Sequence, residues 1–243
     1  MEHLSDLLFV NVTEMIQSEA FMIVAGIIIT AVIAYLLGSI NSSIIVVRIF
    51  EKKDIRDYGS GNAGLTNTLR VCGKKCAAFT LVGDLAKGII AVLLSKWICC
   101  LLGIAENINS DNIYFIGYVA GIFAIIGHVF PLYYKFKGGK GVLVGVSVFV
   151  VIDWRMFLIL IGIFAIVLAI SKYVSLGSMI AAACCPILTF LLQYFTSDLS
   201  ISYIILGTFL SAVMGGMVIF MHRSNIQRLK NGTENKFSFS SKK

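Results

Sequence analysis

The chain has 243 residues, of which 58% are hydrophobic and only 14% are charged, and its mean hydropathy is +0.91. A soluble domain has about 25% charged residues, so this composition excludes an ordinary soluble protein. The apolar residues form long runs, such as residues 21–38 and 155–170, and a helix needs roughly 20 of them to cross a bilayer. Because a helix satisfies its own backbone hydrogen bonds, as hydrocarbon requires, we predict an all-α polytopic membrane protein.

Seven apolar segments predict seven transmembrane helices. The first 18 residues carry acidic groups and no Lys or Arg, which does not fit the basic start of a signal peptide. We therefore interpret residues 1–19 as an extracytoplasmic N-terminal tail, residues 20–221 as a single membrane domain and residues 222–243 as a cytoplasmic C-terminal segment. In chain order, the predicted spans lie at roughly 20–47, 77–103, 113–134, 141–152, 156–170, 174–195 and 201–221.

The Lys and Arg residues alternate between the connections of these spans. The first, third and fifth connections hold seven, three and one of them, and the C-terminal segment holds six, which together make 17 of the 20 in the chain. The second and sixth connections hold none, and the fourth holds only Arg155. Basic residues concentrate on the cytoplasmic side of membrane proteins. The pattern therefore predicts an N-terminus outside and a C-terminus inside, which requires an odd number of spans.

Four polar clusters fall on the predicted cytoplasmic side. The first, GSGNAGLTNTLR, occupies residues 59–70. Its glycines permit turns in which backbone N–H groups face an anion, and Arg70 adds a planar cation suited to phosphate. The pattern favours an anion-binding loop, and a flexible surface loop is the alternative.

The second cluster, KFKGGKGVLVG, occupies residues 135–145. If the apolar segment that follows is a helix, GGKG lies at its N-terminus, where the helix dipole and free N–H groups attract phosphate. The Walker A pattern is absent, which disfavours nucleotide hydrolysis. The alternative is a set of lysines that only anchors the helix end at the membrane surface.

The third and fourth clusters are less specific. The third, SKYVSLGS, places Ser175 and Ser178 one helical turn apart, a spacing at which small residues commonly serve helix packing in membranes. In the fourth, MHRSNIQRL, His222 and Asn225 are three residues apart and share a face if the segment is helical. A histidine at a membrane surface is more often an anchor than a catalyst, so both alternatives stay open.

Ionisable residues also occur inside the predicted spans. Asp84 and Lys87 are one helical turn apart in the second span. A charged group at the bilayer centre costs about 2.5–3.5 kcal/mol on insertion scales, so such groups pair or face protein. We predict that these two neutralise each other and support the first cluster. His128 and Pro131 end the third span on the same side, where structural bracing is the expected role.

The four clusters, although far apart in sequence, meet at one membrane face in this topology. They supply cations, neutral donors and glycine-shaped backbone. The sequence shows no paired carboxylates for glycoside chemistry, no metal-ligand cluster and no Ser-His-Asp set. A site of this kind binds phosphate groups and stabilises developing negative charge.

Six stretches form a combination that is more specific than any single cluster. They are YLLGSI (35–40), DIRDYGSGNAGLTNTLRVCGKK (54–75), GDLAKG (83–88), GHVFPLYYKFKGGKGV (127–142), SKYVSLGS (171–178) and HRSNIQRLKNGTE (222–234). In this order they resemble the acyl-phosphate-dependent glycerol-3-phosphate acyltransferases of bacterial membranes, the PlsY type. The chain departs from the usual pattern at Asn41, where proline is common, and at Leu65 and Leu143, where alanine is usual.

The resemblance implies a fold, a reaction and a set of site residues. The fold is a seven-helix bundle of a bacterial plasma membrane, with its active site at the cytoplasmic face. The reaction moves a fatty acyl group from acyl phosphate to sn-glycerol 3-phosphate and gives lysophosphatidate and phosphate, the first acylation of phospholipid synthesis. The implied catalytic residues are Ser60, Arg70, Lys140, Ser178, His222 and Asn225, and the implied substrate-binding residues of the phosphate loops are Gly59, Gly61, Asn62, Asn67, Lys137, Gly138, Gly139 and Gly141.

An acyl phosphate is already an activated mixed anhydride, so its transfer requires positioning rather than a covalent enzyme intermediate. In the family the leaving phosphate is thought to accept the hydroxyl proton. We expect no cofactor and no metal. The expected partners are the two substrates and membrane lipid, without nucleic acid.

Two alternatives to an enzyme are considered. A transporter for an organic phosphate suits the basic cytoplasmic face and the Asp84–Lys87 pair, but it predicts polar residues along the outer halves of the spans, which here are mostly apolar. A purely structural protein has no use for several phosphate-shaped loops.

Overall fold

The computed structural model describes residues 2–106 and 110–237, and within these ranges the chain forms helices and loops without a strand. In chain order the α-helices are α1 (Glu2–Ser39), α2 (Ser42–Glu51), α3 (Leu65–Leu101), α4 (Tyr114–Val129), α5 (Val142–Ser147), α6 (Phe149–Ile152), α7 (Trp154–Ser171), α8 (Val174–Thr196), α9 (Ile201–Met221) and α10 (Arg223–Lys230). Short 3₁₀ turns lie at Ile55–Asp57, Asp111–Ile113 and Leu132–Tyr134. The prediction of an all-helical protein is confirmed.

Six helical segments of the described chain are long and apolar enough to cross a membrane: Ala20–Glu51, Leu65–Leu101, Tyr114–Tyr134, Trp154–Ser171, Val174–Thr196 and Ile201–Met221. The predicted fourth span corresponds to the shorter apolar segment Val142–Ile152. Eleven residues rise only about 17 Å in a helix, whereas the hydrocarbon core is about 30 Å thick. The seven-span count and the sidedness of the termini therefore stay predictions.

The first two predicted spans have different bounds in the structure. α1 begins at Glu2, so the segment predicted as a tail is helical, and it ends at Ser39 before a break that leads into α2. α3 begins at Leu65, well before the predicted start at residue 77, and it is interrupted at Gly73, whose φ is +78°. Consequently the second half of the first polar cluster is helical rather than loop.

Helix α4 lies at the centre of the bundle and packs against α1, α3 and α9. A side chain on Gly38 would overlap the backbone of Ala124, and one on Gly127 would overlap the carbonyl of Tyr35. Small residues allow this close approach of helix backbones in membranes. As a result, the break after α1 lies directly beside the end of α4, where the site is built.

The bundle has two distinct ends, separated by the length of α8. At one end, called the site end, Ser175 Oγ donates to Glu234 Oε1 at 2.7 Å. At the other, called the opposite end, Arg155 Nη1 donates to Thr196 Oγ1 at 2.7 Å. The 23 residues of α8 span about 35 Å. All four polar clusters lie at the site end.

The C-terminal segment is held to the site end, since Phe237 N donates to Lys172 O at 2.7 Å. Residues 238–243, with Lys242 and Lys243 of the predicted basic tail, lie outside the described residues, as does residue 1 of the predicted N-terminal tail. Residues 107–109 of the predicted second connection also lie outside them.

Candidate active site

The first loop, residues 52–64, is shaped by the side chain of Asn67 in α3. Asn67 Oδ1 accepts from Ser60 N at 2.9 Å, and its Nδ2 donates to Tyr58 O at 2.9 Å. Gly59 has a φ of +63° and lies so close that a Cβ there would overlap Asn67 Oδ1. Asn67 is 2% exposed. It therefore serves as an internal scaffold of the loop, and its predicted substrate contact stays a prediction.

The second loop, residues 130–141, folds back onto the end of α4. Gly138 N donates to Val129 O and Gly139 N donates to His128 O, each at 3.1 Å. A Cβ on Gly139 would overlap both the His128 ring and the carbonyl of Ala63. The two loops therefore touch at Gly139, which has no room for a side chain.

Arg56 joins the two loops directly. Its Nη1 donates to Tyr134 O at 2.8 Å and to Lys137 O at 3.3 Å. The rest of the guanidinium is bidentate on Asp54, with Nε to Oδ1 at 2.9 Å and Nη2 to Oδ2 at 2.7 Å, and these bonds hold the pKa of the Asp54 carboxyl well below its usual value. Such charge-assisted pairs are strong and directional, so Arg56 fixes the loops relative to each other.

Much of the loop backbone is unavailable to an anion. The N–H groups of Ser60, Gly61, Gly138 and Gly139 all donate to groups within the protein. The helix after GGKG does begin at Val142, as predicted, but α5 has only six residues. These four N–H groups are therefore already satisfied within the protein, and anion binding by the two loops stays a prediction.

Lys140 connects the second loop to the C-terminal helices. Its Nζ donates to Asn225 Oδ1, and Asn225 Nδ2 donates to Glu234 Oε1 at 2.6 Å. Glu234 also accepts from Ser175 Oγ, and its Oε2 accepts from Arg228 Nε at 2.7 Å. Burial raises the pKa of Glu234, but the hydrogen bonds from these partners outweigh it and hold that pKa below its usual value. Glu234 is thus a fixed carboxylate that orients Asn225.

Electrostatics prepare Lys140 for an anionic ligand. Burial, as the largest cause, and the positive charges of Arg228 and Arg70 together lower the pKa of its ammonium to about 8, while Glu234 opposes them. Arg70 is itself exposed on α3. A phosphate group near these cations offsets their mutual repulsion and raises the pKa of Lys140. Binding of an anion and protonation of Lys140 therefore reinforce each other.

His222 lies at the end of α9 and is buried. Its Nδ1 donates to Val218 O at 2.7 Å, which leaves Nε2 as an acceptor in the neutral ring. Burial, with a smaller contribution from Lys140, lowers the pKa of His222 to about 4. His222 is therefore neutral at pH 7 and presents a lone pair rather than a charge.

A cavity of about 300 Å³ opens between the two loops and α10. Its polar lining is Ser60, Gly61, Asn62, Lys137, Gly138, Gly139, Lys140, Arg223, Ser224 and Arg228, and its apolar lining is Val129, Phe130, Phe136 and Met221. The lining therefore contains four cations and no carboxylate, next to apolar and aromatic groups. This combination suits a ligand with an anionic head and an apolar tail.

Apart from Asn67 and His222, described above, the predicted site residues fall into four groups. Ser60, Gly61, Asn62, Lys137, Gly138, Gly139 and Lys140 line the cavity. Asn225 accepts a hydrogen bond from Lys140, and the charge of Arg70 acts on Lys140. Ser178 is less direct, because its Oγ donates to Val174 O at 2.9 Å within its own helix. Gly59 and Gly141 have positive φ angles and shape the loops.

Sequence reasoning missed several residues that the structure brings to the site. Glu234 and Arg228 lie in the tail, where a single acid among basic residues was the only signal. Arg56 makes its loop-to-loop contacts with backbone carbonyls, which leave no trace in a residue pattern. Ser175, rather than Ser178, is the serine of α8 that reaches the network.

Comparison with known proteins agrees with this geometry. Residues 28–232 match the family described as glycerol-3-phosphate acyltransferase. A protein of that name from Clostridioides difficile is 41% identical over 86% of this chain and 94% of its own length, and one from Staphylococcus aureus is 38% identical over 88% and 98%.

Solved structures give the same result. The crystal structure of PlsY, an integral membrane glycerol 3-phosphate acyltransferase, in its glycerol 3-phosphate form superposes with a TM-score of 0.71 at 30% identity, covering 87% of this chain and 96% of PlsY. The lysophosphatidic acid form superposes with a TM-score of 0.69 at 29% identity, covering 87% and 95%. Motifs, fold and relatives thus converge, and this chain belongs to the PlsY family of integral membrane glycerol-3-phosphate acyltransferases.

Proposed function

We propose that this protein transfers a fatty acyl group from acyl phosphate to sn-glycerol 3-phosphate and releases lysophosphatidate and inorganic phosphate. The observation that carries the proposal is the cavity with four cations, no carboxylate and an apolar rim. The family supplies the acceptor, and the relatives named for PlsY were crystallised in glycerol 3-phosphate and lysophosphatidic acid forms. A transporter has no support from these comparisons.

In this proposal the site first overcomes the repulsion between two phosphate groups. Lys140 and Arg228 line the cavity, the charge of Arg70 acts on Lys140, and Ser60 and Asn62 add neutral donors. Charge-assisted bonds to phosphate are the strongest hydrogen bonds a protein makes. Holding both substrates at contact distance supplies several kcal/mol of the barrier reduction.

The transfer step needs no covalent enzyme intermediate. The glycerol hydroxyl attacks the acyl carbon, the new ester C–O bond forms, and the bond from the acyl carbon to the phosphate oxygen breaks. The departing phosphate takes the hydroxyl proton. His222 has a pKa of about 4, too low for an efficient base at neutral pH, so we assign its Nε2 to position glycerol 3-phosphate by accepting a hydrogen bond from the hydroxyl that does not react.

Ser178 and Asn225 are assigned to substrate positioning. Asn225 holds the Lys140 ammonium and is itself oriented by Glu234. Ser178 lies one helical turn from Ser175 on α8, at the edge of the site, and in this proposal it contacts a substrate there.

The topology that goes with this function has seven passes and a cytoplasmic site. Lys140 bonds Asn225 at the site end, whereas Arg155 bonds Thr196 at the opposite end. These two contacts support a pass between residues 140 and 155, through α5 and α6, despite the short length of these helices. Together with the distribution of basic residues, this supports an extracytoplasmic N-terminus and a cytoplasmic C-terminus in a bacterial plasma membrane.

The test is a reconstituted assay with purified protein, palmitoyl phosphate and labelled glycerol 3-phosphate. We expect labelled lysophosphatidate with acyl phosphate and none with acyl-CoA or with an acyl carrier protein thioester. Transfer from a thioester alone would overturn the assignment of the donor. Addition of EDTA is expected to leave the rate unchanged, and a strict metal requirement would contradict the cation-only account.

A further inference from the structure

The ammonium of Lys87 is buried beneath both loops and contacts four groups from three elements. It donates to Gly38 O at 3.2 Å, Ile40 O at 2.9 Å and His128 Nδ1 at 2.8 Å, and it lies 3.0 Å from Asp84 Oδ1. Lys87 is 6% exposed and Asp84 is 1% exposed. The pairing with Asp84 was predicted from the sequence, but the contacts with α1 and α4 were not.

One branch of these contacts leads to the first loop. Gly38 and Ile40 lie at the C-terminal end of α1, where carbonyls have no helical partner. Lys87 satisfies two of them and so fixes the break between α1 and α2. Asn41, the next residue, donates from Nδ2 to Ala63 O at 3.4 Å. The position of Lys87 is thereby transmitted to the end of the first loop.

A second branch leads to the second loop. Because a charged Lys87 can only donate, His128 Nδ1 accepts, and the neutral ring carries its proton on Nε2. The ring lies directly against Gly139, whose N–H donates to the His128 carbonyl. The orientation of the His128 ring therefore sets where Gly139 lies, and Lys140 follows Gly139 in the chain.

We propose that Lys87 is a positioning residue of the acyl transfer site, acting through Asn41 on the first loop and through His128 on the second. Asp84 neutralises its charge within the bundle. Lys87 touches neither the cavity lining nor the reacting groups. The proposal rests on the proposed function only for its kinetic readout.

The first experiment compares Lys87→Met with Lys96→Met. Lys96 is on the same helix and equally buried, at 7% exposure, but lies about two and a half turns further from the site end. A misplacement near 1 Å costs about 100-fold in rate. We expect Lys87→Met to lower kcat/KM for glycerol 3-phosphate by about that factor, mostly through KM, and Lys96→Met to change it less than threefold.

A structural readout separates positioning from loss of the fold. Hydrogen exchange followed by mass spectrometry reports on residues 55–70 and 134–142. Lys87→Met is expected to speed exchange in both segments and not in α8 or α9. This measurement remains informative if the proposed reaction itself fails, because it does not depend on turnover.

The His128 variants test the second branch. Asn presents its Oδ1 near the place of Nδ1 and keeps an acceptor for Lys87, whereas Leu removes it. We expect His128→Asn to retain at least ten times the activity of His128→Leu. Equal losses in these two variants, or exchange in the two loops unchanged by Lys87→Met, would overturn the proposal.

Discussion

The two ends of the bundle satisfy their polar groups in different ways. At the opposite end, polar contacts are either local or join two helices: Asp153 accepts from Arg155 N at 3.0 Å and pairs with its guanidinium, and Arg155 Nη1 donates to Thr196 Oγ1 of α8. There Gln193 donates to Tyr118 at 3.0 Å, while its buried Oε1 has no hydrogen-bond partner among the described residues. At the site end, Lys87, Arg56 and Glu234 each bond groups from several elements.

The difference follows from the backbone at each end. Irregular loops leave carbonyls and N–H groups that no helix satisfies, and these cost free energy when buried without partners. The site end places two such loops at the edge of the bundle, so the side chains of Arg56 in the first loop and of Asn67 and Lys87 in α3 supply bonds to their backbone and to the break after α1. Its dense polar network is therefore a consequence of building a shaped cavity from loops.

The largest expected difference between the two ends is in the loss of activity when one cation is removed from each. Lys140→Ala deletes the ammonium that lies between the cavity and Asn225. Loss of one preorganised donor to a transition-state charge costs about 10²–10³-fold in rate, and we expect a loss near the upper value in kcat/KM. Arg155→Ala is expected to stay within twofold of wild type, and a comparable loss there would remove the distinction between the two ends. The assay of lysophosphatidate formation measures both.

The second contrast lies within the site end. Arg70→Ala is expected to lower kcat/KM about 10²-fold, because the charge of Arg70 acts on Lys140 and the proposal assigns Arg70 to substrate phosphate. Lys74→Ala, an exposed cation just beyond the break at Gly73, is the matched control and is expected to change little. If both variants behave alike, only the summed charge of this surface matters, and the assignment of Arg70 fails.

The pH dependence of kcat/KM tests the role of Lys140. Its pKa is lowered to about 8, so the charged form predominates below that pH and is lost above it. We expect kcat/KM for glycerol 3-phosphate to fall with rising pH above about 8, with a slope of −1 in the logarithmic plot. Lys140→Arg is expected to move this fall in kcat/KM to higher pH, since guanidinium keeps its charge. An unchanged limb in this variant would assign the titration to another group.

The smallest expected effect concerns Asn41. Its Oδ1 accepts from Ile44 N at 3.1 Å as the N-cap of α2, which proline cannot do. Asn41→Pro is expected to lose about 1 kcal/mol of stability and about 2–4 °C in Tm. Asn41→Asp keeps the cap and is expected to retain most of the Tm. Equal Tm losses in the two variants would show that the bond to Ala63 matters more than the cap.

The sequence supports some of these features better than others. Long apolar runs predict most helices because burial in lipid leaves few other options, and the one-turn spacing of Asp84 and Lys87 predicts their ion pair, which the structure confirms at 3.0 Å. The early start of α3 is not evident, because Asn67 and Arg70 carry the same polar signal in a loop as on a helix face. Glu234 is also not evident, since its partner Ser175 is 59 residues away.

The central claim is that the first loop, the second loop and α10 form one phosphate-binding cavity on one side of the membrane. Ser60→Cys and Lys137→Cys, made separately, are treated in sealed vesicles of known orientation with a membrane-impermeant thiol reagent, and labelling of the wild-type cysteines is subtracted. The account predicts that both positions react only from the cytoplasmic side and that glycerol 3-phosphate slows both reactions. Labelling of the two positions from opposite sides would contradict it.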